Sequence, residues 1–198
     1  FCTSTLQPLA AGQIQIQVQA SGLNFKDVLH ALGMLRFPGV SVSDTLFGFE
    51  CAGIVSQLGP EVKGFKVGDR VMAVLTPGSM ADYVNVDARY ALPIPGCLSD
   101  REAAGIPLAY LTVSYGLEHL AKIKTGERIL IHAAAGGVGQ AAIQYAQLYG
   151  LEIHASAHPD KWPMLKAQGI KHLYHSRQAD YADAINQATE GDGVDIIL

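Results

Sequence analysis

Charge is scarce in this chain. Asp, Glu, Lys and Arg make up only 16% of the 198 residues and leave a net charge of −4. With no basic field to hold a polyanion, nucleic acid is excluded as an expected partner. Long hydrophobic runs are missing too. No stretch approaches the roughly 18 to 20 apolar residues that span a bilayer, and FCTSTLQPLAAG has neither the charged start nor the apolar centre of a secretory signal. The expectation is a soluble, cytoplasmic protein with no membrane partner. Cysteine occurs only at Cys2, Cys51 and Cys97, an odd number with no Cys-x-x-Cys spacing. That argues against a disulfide framework and a zinc ribbon, so all three are expected to be reduced. Internal repeats and low-complexity segments are absent as well.

What is present is apolar content, 49% of residues, enough for one large domain or two small ones. QIQIQVQASG alternates apolar and polar residues, and ECAGIVSQLG, GFKVGDRVMAVL and MADYVNV follow as short strands bounded by Gly, Pro and Asp. Among them, NFKDVLHALGM predicts one helix, with Phe25, Val28, Leu29 and Ala31 or Leu32 on its apolar face and Asn24 at its cap. Lys26 and Asp27 then fall on its polar face as a solvated pair or salt bridge. From Ser99 the period changes. SDREAAGIPLAYLTVSYGLEHLA opens with a capping Ser and acids in its first turn. Beyond it, strands and helices alternate through RILIHAA, GGVGQAAIQYAQLYG, LEIHASA, DKWPMLKAQG, KHLYHS, YADAINQATEGDG and VDIIL. That order predicts a parallel sheet covered on both faces. The boundary is placed after ALPIPG, giving residues 1–97 and 98–198. GVDIIL ends on an apolar strand run, so the second domain is expected to be incomplete.

The stretch HAAAGGVGQAAIQ supplies the strand, glycine turn and helix start of a dinucleotide site. Free N–H groups and the positive end of the helix dipole accept a pyrophosphate there. Ala135, Gly136, Gly137, Val138 and Gly139 form the expected cradle. Gly136 would admit the phosphates and Gly139 would let the helix pack on the strand; a structural turn without a ligand is the alternative. At the tip of the second strand, HASAHPDKW offers Ser156 and Lys161 to a 2′-phosphate, which favours NADPH. Asp160 is the rival that would favour NADH. Arg177 is placed to reach the same phosphate or the adenine, or else is a solvated loop cation. His132 and His154 read as core residues, and His172 and His175 as a strand and its exit. No metal is expected.

Through GLNFKDVLHALGM, GFECAGIV, KVGDRVMAV, AAGIPLAYLTVSYGL and HAAAGGVGQAAIQYAQ, which cover nearly the whole chain, the sequence resembles the medium-chain dehydrogenase/reductase superfamily. Within it, the chain is most similar to the enoyl reductase domains of modular polyketide synthases and animal-type fatty acid synthases. The resemblance implies a GroES-like substrate-binding domain over 1–97. A Rossmann NADPH-binding domain over 98–198 would follow, truncated after its fourth strand. Zinc members hold a metal through a histidine where this chain has Phe49, and Asn24–Asp27 occupies the place of their first cysteine. A zinc-free member is therefore implied. By resemblance, Asn24 and Thr112 lie near the nicotinamide, with a helix cap and a buried helix threonine as their structural alternatives. The tyrosine often discussed as a proton donor in that branch is Leu35 here. The family's lysine and aspartate candidates follow the fourth Rossmann strand, beyond Leu198. No catalytic residue is named, and Tyr110 and Tyr115 lack a geometric argument. The implied reaction is NADPH-dependent hydride addition to the β-carbon of an enoyl thioester on an acyl carrier protein, beside neighbouring synthase domains. The alternatives are a free-standing quinone-oxidoreductase-like reductase, reductive ring closure, or a non-catalytic truncated domain. Monomer versus dimer stays open.

Overall fold

The computed structural model describes residues 8–35, 47–178 and 181–198. The chain forms two compact units, Phe1–Leu108 and Ala109–Leu198. Cys2 lies outside the described residues.

The first unit is built on a five-stranded antiparallel sheet of order β4-β1-β2-β3-β5. Its strands are β1 (Gln13–Ser21), β2 (Glu50–Leu58), β3 (Arg70–Val74), β4 (Tyr83–Asp87) and β5 (Ala91–Pro93). The alternation in β1 does what its period of two requires. Ile14 and Ile16 are fully buried against Val55, Val71, Val84 and Val86, while Gln17 faces out. Gln15 is buried as well, but its amide is satisfied. Nε2 donates to Asn85 Oδ1 at 3.3 Å and Oε1 accepts from Ser56 Oγ at 2.9 Å.

Helix α1 (Phe25–Ala31) departs from its periodic reading. Phe25 and Leu32 are 74% and 66% exposed, whereas Asp27 and His30 are the buried positions. The inward turn has a specific cause. One Asp27 oxygen accepts from the Asn24 N–H at 3.0 Å and the other from the Gly48 N–H at 2.8 Å. A carboxylate that closes two backbone donors is held inside by them, which corrects the expectation of a solvated Lys26–Asp27 pair. Lys26 is exposed, with Nζ 4.0 Å from the centroid of the Phe49 ring.

Helix α2 (Asp100–Ala103) starts as expected. The Ser99 hydroxyl accepts from Glu102 N–H at 3.3 Å, and the Glu102 carboxylate accepts from Ser99 N–H at 2.9 Å. Ala103 and Ala104 pack against Ala52 and Ile94, and Arg70 reaches Asp100 at 2.8 Å. These residues, which the sequence assigns beyond a boundary at 97–98, therefore belong to the first compact unit. Helix α3 (Pro107–Ser114) runs on as a π-helical stretch over Tyr115–Ala121, closed by Lys122 at φ 55°.

The second unit carries a four-stranded parallel sheet of order β8-β7-β6-β9. The strands are β6 (Arg128–Ile131), β7 (Glu152–Ala157), β8 (His172–His175) and β9 (Ile196–Ile197). Helices α4 (Gly137–Leu148), α5 (Trp162–Ala167) and α6 (Tyr181–Ala188) alternate with them. Numbered within the unit, the order is 3-2-1-4, the start of a doubly wound nucleotide-binding sheet. On one face Ile129, Ile131, Ile153 and Ala155 pack with Ala142, Ile143 and Ala146 of α4 and Leu165 of α5. The other face carries Leu130 and Tyr174 against Ile185 of α6, together with His154. His154 is fully buried, and burial first, then the neighbouring His172, holds it below the ordinary imidazole value. His132, expected in the core, is exposed: Nδ1 lies 2.9 Å from Ser156 Oγ and its ring is edge-on to Tyr181. Among the described residues no helix is long and apolar enough to cross a membrane.

Candidate functional site: a glycine turn at a helix N-terminus

The turn after β6 is shaped by close approach. Ala133 adopts φ 47°, a left-handed conformation that costs a residue with a Cβ about 1 kcal/mol or more. Gly136 N–H donates back to Ala133 O at 2.8 Å, so this group closes the turn itself. A Cβ on Gly139 would lie 2.6 Å from Ala133 O and from Ala134 Cα. Only hydrogen fits there, and through this gap α4 packs directly on the end of β6. Gly137 differs, since a Cβ there would meet nothing within 4 Å. The turn therefore puts α4 with Gly136 as its N-cap and opens its first turn outward, with Gly137 and Val138 exposed and Ala135 half-buried. The N–H groups of Gly137, Val138 and Gly139 have no acceptor within a helix of this register. This is the anion-binding arrangement of a helix start, and the cradle fits a pyrophosphate.

Around the ends of β7 and β8 lie the residues expected to read the nucleotide. Lys161 closes the 3-10 turn Pro159–Lys161 and is exposed, as are Asp160 and Arg177. Ser156 sits otherwise: it is 1% exposed, with its hydroxyl engaged by His132. Two histidines stand beside this tip: His175, expected only as a strand exit, and His158, which the sequence did not single out. His158 and His175 meet edge-on with ring centroids 5.8 Å apart, and His175 Nδ1 accepts from the Arg177 N–H at 3.1 Å. They are adjacent because β7 and β8 pair in parallel register, Ala157 opposite His175.

In the first unit, Asn24 is held by a group the sequence did not single out. Its Nδ2 donates to Glu50 Oε1 at 3.0 Å, while Glu50 Oε2 accepts from the Leu108 N–H at 2.8 Å. Glu50 is 3% exposed, and a Cβ on Gly22 would fall 2.5 Å from its Cγ. Gly22 is thus the space the buried carboxylate occupies. The signal was present as an acid inside the apolar stretch GFECAGIV. Thr112 is exposed on α3. Tyr110 donates to Gln144 Oε1 at 2.6 Å and Tyr115 stacks on His119. Leu35 is half-buried.

Two family models match. The alcohol dehydrogenase GroES-like domain covers residues 10–96, and the zinc-binding dehydrogenase domain covers 137–198. The second description implies a metal, but the donor set at the family's position does not fit one. Phe49 offers no lone pair, and it lies against His30 and under Lys26. The neighbouring Cys51 thiol is buried, and that burial pushes it up to about 11. The chain is 43% identical over 194 residues to the pikromycin polyketide synthase component PikAII of Streptomyces venezuelae, covering 97% of this chain and 5% of that protein. It is 47% identical to the CurK enoyl reductase structure, with a TM-score of 0.93, covering 98% of this chain and 60% of that one. It is 37% identical to the CurF ER cyclopropanase of the curacin A pathway, with a TM-score of 0.90, covering 98% of this chain and 61% of that one. The chain thus spans a small part of its curated relative and about three fifths of the solved chains. With a GroES-like unit followed by a parallel nucleotide-binding sheet, it belongs to the medium-chain dehydrogenase/reductase superfamily, and the solved chains it resembles include enoyl reductases.

Proposed function

We propose that this chain is part of an NADPH-dependent enoyl reductase in polyketide or fatty acid biosynthesis. Its substrate would be an α,β-unsaturated acyl thioester on an acyl carrier protein, presented among neighbouring synthase domains. The observation that carries the reading is the glycine turn. Gly139 brings α4 onto the end of β6 with no room for a Cβ, and the opened first turn offers backbone donors to a pyrophosphate.

When bound, NADPH supplies the hydride that reduces the β-carbon. The residues of the chain bind and orient. The α4 N-terminus holds the pyrophosphate, and Lys161 and Arg177 supply cations to a 2′-phosphate. His158 and His175 stand ready as further donors, and Asp160 is the group that would instead favour a ribose hydroxyl. Asn24 and Thr112 are proposed to face the nicotinamide, with Glu50 fixing the Asn24 amide. The thioester carbonyl already makes the β-carbon electrophilic, so a site with Phe49 in the metal position suits this reduction better than alcohol oxidation. The proton for the α-carbon is not assigned to a residue of this chain.

The test gives the intact enoyl reductase polypeptide the same enoyl chain on an acyl carrier protein and on pantetheine, and a free quinone. Each is assayed with NADPH and NADH. NADPH consumption matching saturated product, fastest on the carrier protein, is the expected outcome. Equal turnover of the quinone would replace the proposal with a free-standing quinone reductase. Leu35 at the tyrosine position and the similarity to the CurF ER cyclopropanase favour one further arm, a substrate bearing a leaving group at the γ-carbon. Ring-closed product there would change the outcome assigned to the hydride step.

A further inference from the structure

A second cluster of ligand-type side chains lies away from the glycine turn, at the starting ends of β7 and β8. Glu152 and His154 are two residues apart on β7 and share a face. Parallel register sets His172 opposite His154, on the same face. Glu152 Oε1 is 3.3 Å from His154 Nε2 and 3.6 Å from His172 Nε2, and all three ligand atoms lie within 4.8 Å of one another. The imidazoles stack with centroids 4.5 Å apart.

An ion-pair cluster would need no further explanation if each polar atom had a partner. His154 breaks that account. It is fully buried, yet its Nε2 forms no aligned hydrogen bond. Its other nitrogen, Nδ1, is 2.7 Å from the Tyr174 hydroxyl. When Nδ1–H donates to that hydroxyl, Nε2 keeps its lone pair 3.3 Å from Glu152 Oε1, as for a metal-bound histidine oriented by an outer partner. Zn–N distances of about 2.0–2.1 Å place tetrahedral ligand atoms about 3.4 Å apart, close to the 3.3 and 3.6 Å found here. Arg128 works against a cation, but it takes the other carboxylate oxygen, Oε2 at 3.3 Å, and also reaches Asp192 at 3.3 Å. Oε1 is left to the imidazoles.

We propose that Glu152, His154 and His172 form a site for a divalent transition metal, Zn2+ by ligand type, which ties β7 to β8. Two neutral imidazoles and a carboxylate form a borderline nitrogen and oxygen set that suits Zn2+. Three protein ligands leave a fourth position to water. The site lies at the opposite strand ends from the glycine turn, so its role is to brace the sheet rather than to move hydride. It is independent of the reaction proposed above.

The intact enoyl reductase polypeptide, stripped with a chelator, is titrated with Zn2+ by calorimetry and with Co2+ by absorption, and its Tm is followed. The expected result is one equivalent bound through these residues, a Zn2+-dependent rise in Tm and a tetrahedral Co2+ spectrum. Tyr174→Phe should weaken Zn2+ binding about 10- to 100-fold, and His172→Gln should weaken it more. His172 and Glu152 are partly exposed, so His172→Gln and Glu152→Gln carry the test even where His154→Gln misfolds. Equal Zn2+ affinity and equal Tm response in the parent and in folded His172→Gln would overturn the site, since any metal then binds elsewhere.

Discussion

On the proposed reading, Gly139 is the residue on which the nucleotide site would turn. Its neighbours at 2.6 and 2.7 Å are backbone atoms of Ala133 and Ala134, which cannot swing aside as a side-chain tip would. Gly139→Ala should therefore push α4 off β6. Overpacking of this kind costs about 1–3 kcal/mol, and the displaced N–H groups should lose NADPH affinity by a larger factor than the stability loss alone implies. Urea unfolding together with nucleotide titration checks both. A variant as stable as the parent and with unchanged affinity would mean that the turn has slack the geometry denies. Gly137→Ala is the control for backbone entropy, because its Cβ points into open space.

Capping decides the element scale. Ser99 and Glu102 bond reciprocally at the start of α2, so Ser99→Ala should cost about 1 kcal/mol in thermal or urea unfolding. The same contacts hold the Glu102 carboxyl below its ordinary value, the Ser99 N–H first and then its hydroxyl. A depressed carboxylate stabilises the fold above the ordinary carboxylate range and loses that contribution as pH falls through the lowered value. Glu102→Gln, which removes the titrating group, should accordingly flatten the acid limb of the stability profile. An unchanged limb would show that Glu102 gains nothing from the cap. Features of this range were legible in the sequence because their partners lie within a few residues: the Ser99 cap, the alternation in β1 and the glycine turn. The contacts that escaped notice act across the chain. Asp27 bonds to Gly48, 21 positions on, and Glu50 to Leu108, 58 positions on. Helical spacing therefore put Asp27 on the wrong face of α1. The pairs His158–His175 and His154–His172 exist only through parallel register, which no local pattern encodes.

At the scale of the whole molecule, a net charge of −4 offers nothing to attract a phosphorylated dinucleotide. On the proposed reading, discrimination for a 2′-phosphate would come from a few local cations. Lys161 and Arg177 are exposed and flank the tip where Asp160 supplies the opposing charge. A hydrogen bond to a charged group contributes about 1.5–3 kcal/mol. Lys161→Ala should thus raise the Kd for NADPH about tenfold or more while leaving NADH nearly unchanged, and Arg177→Ala should act in the same direction. Exposed charges are screened by salt within about 10 Å at 0.1 M. The NADPH to NADH preference should therefore narrow as ionic strength rises, and narrow less in Lys161→Ala, which has less charge to screen. Fluorescence titration of both nucleotides across a salt series measures this. Equal loss of NADPH and NADH affinity in Lys161→Ala would move the lysine from the 2′-phosphate to the shared pyrophosphate, and Asp160 would then govern the choice of nucleotide.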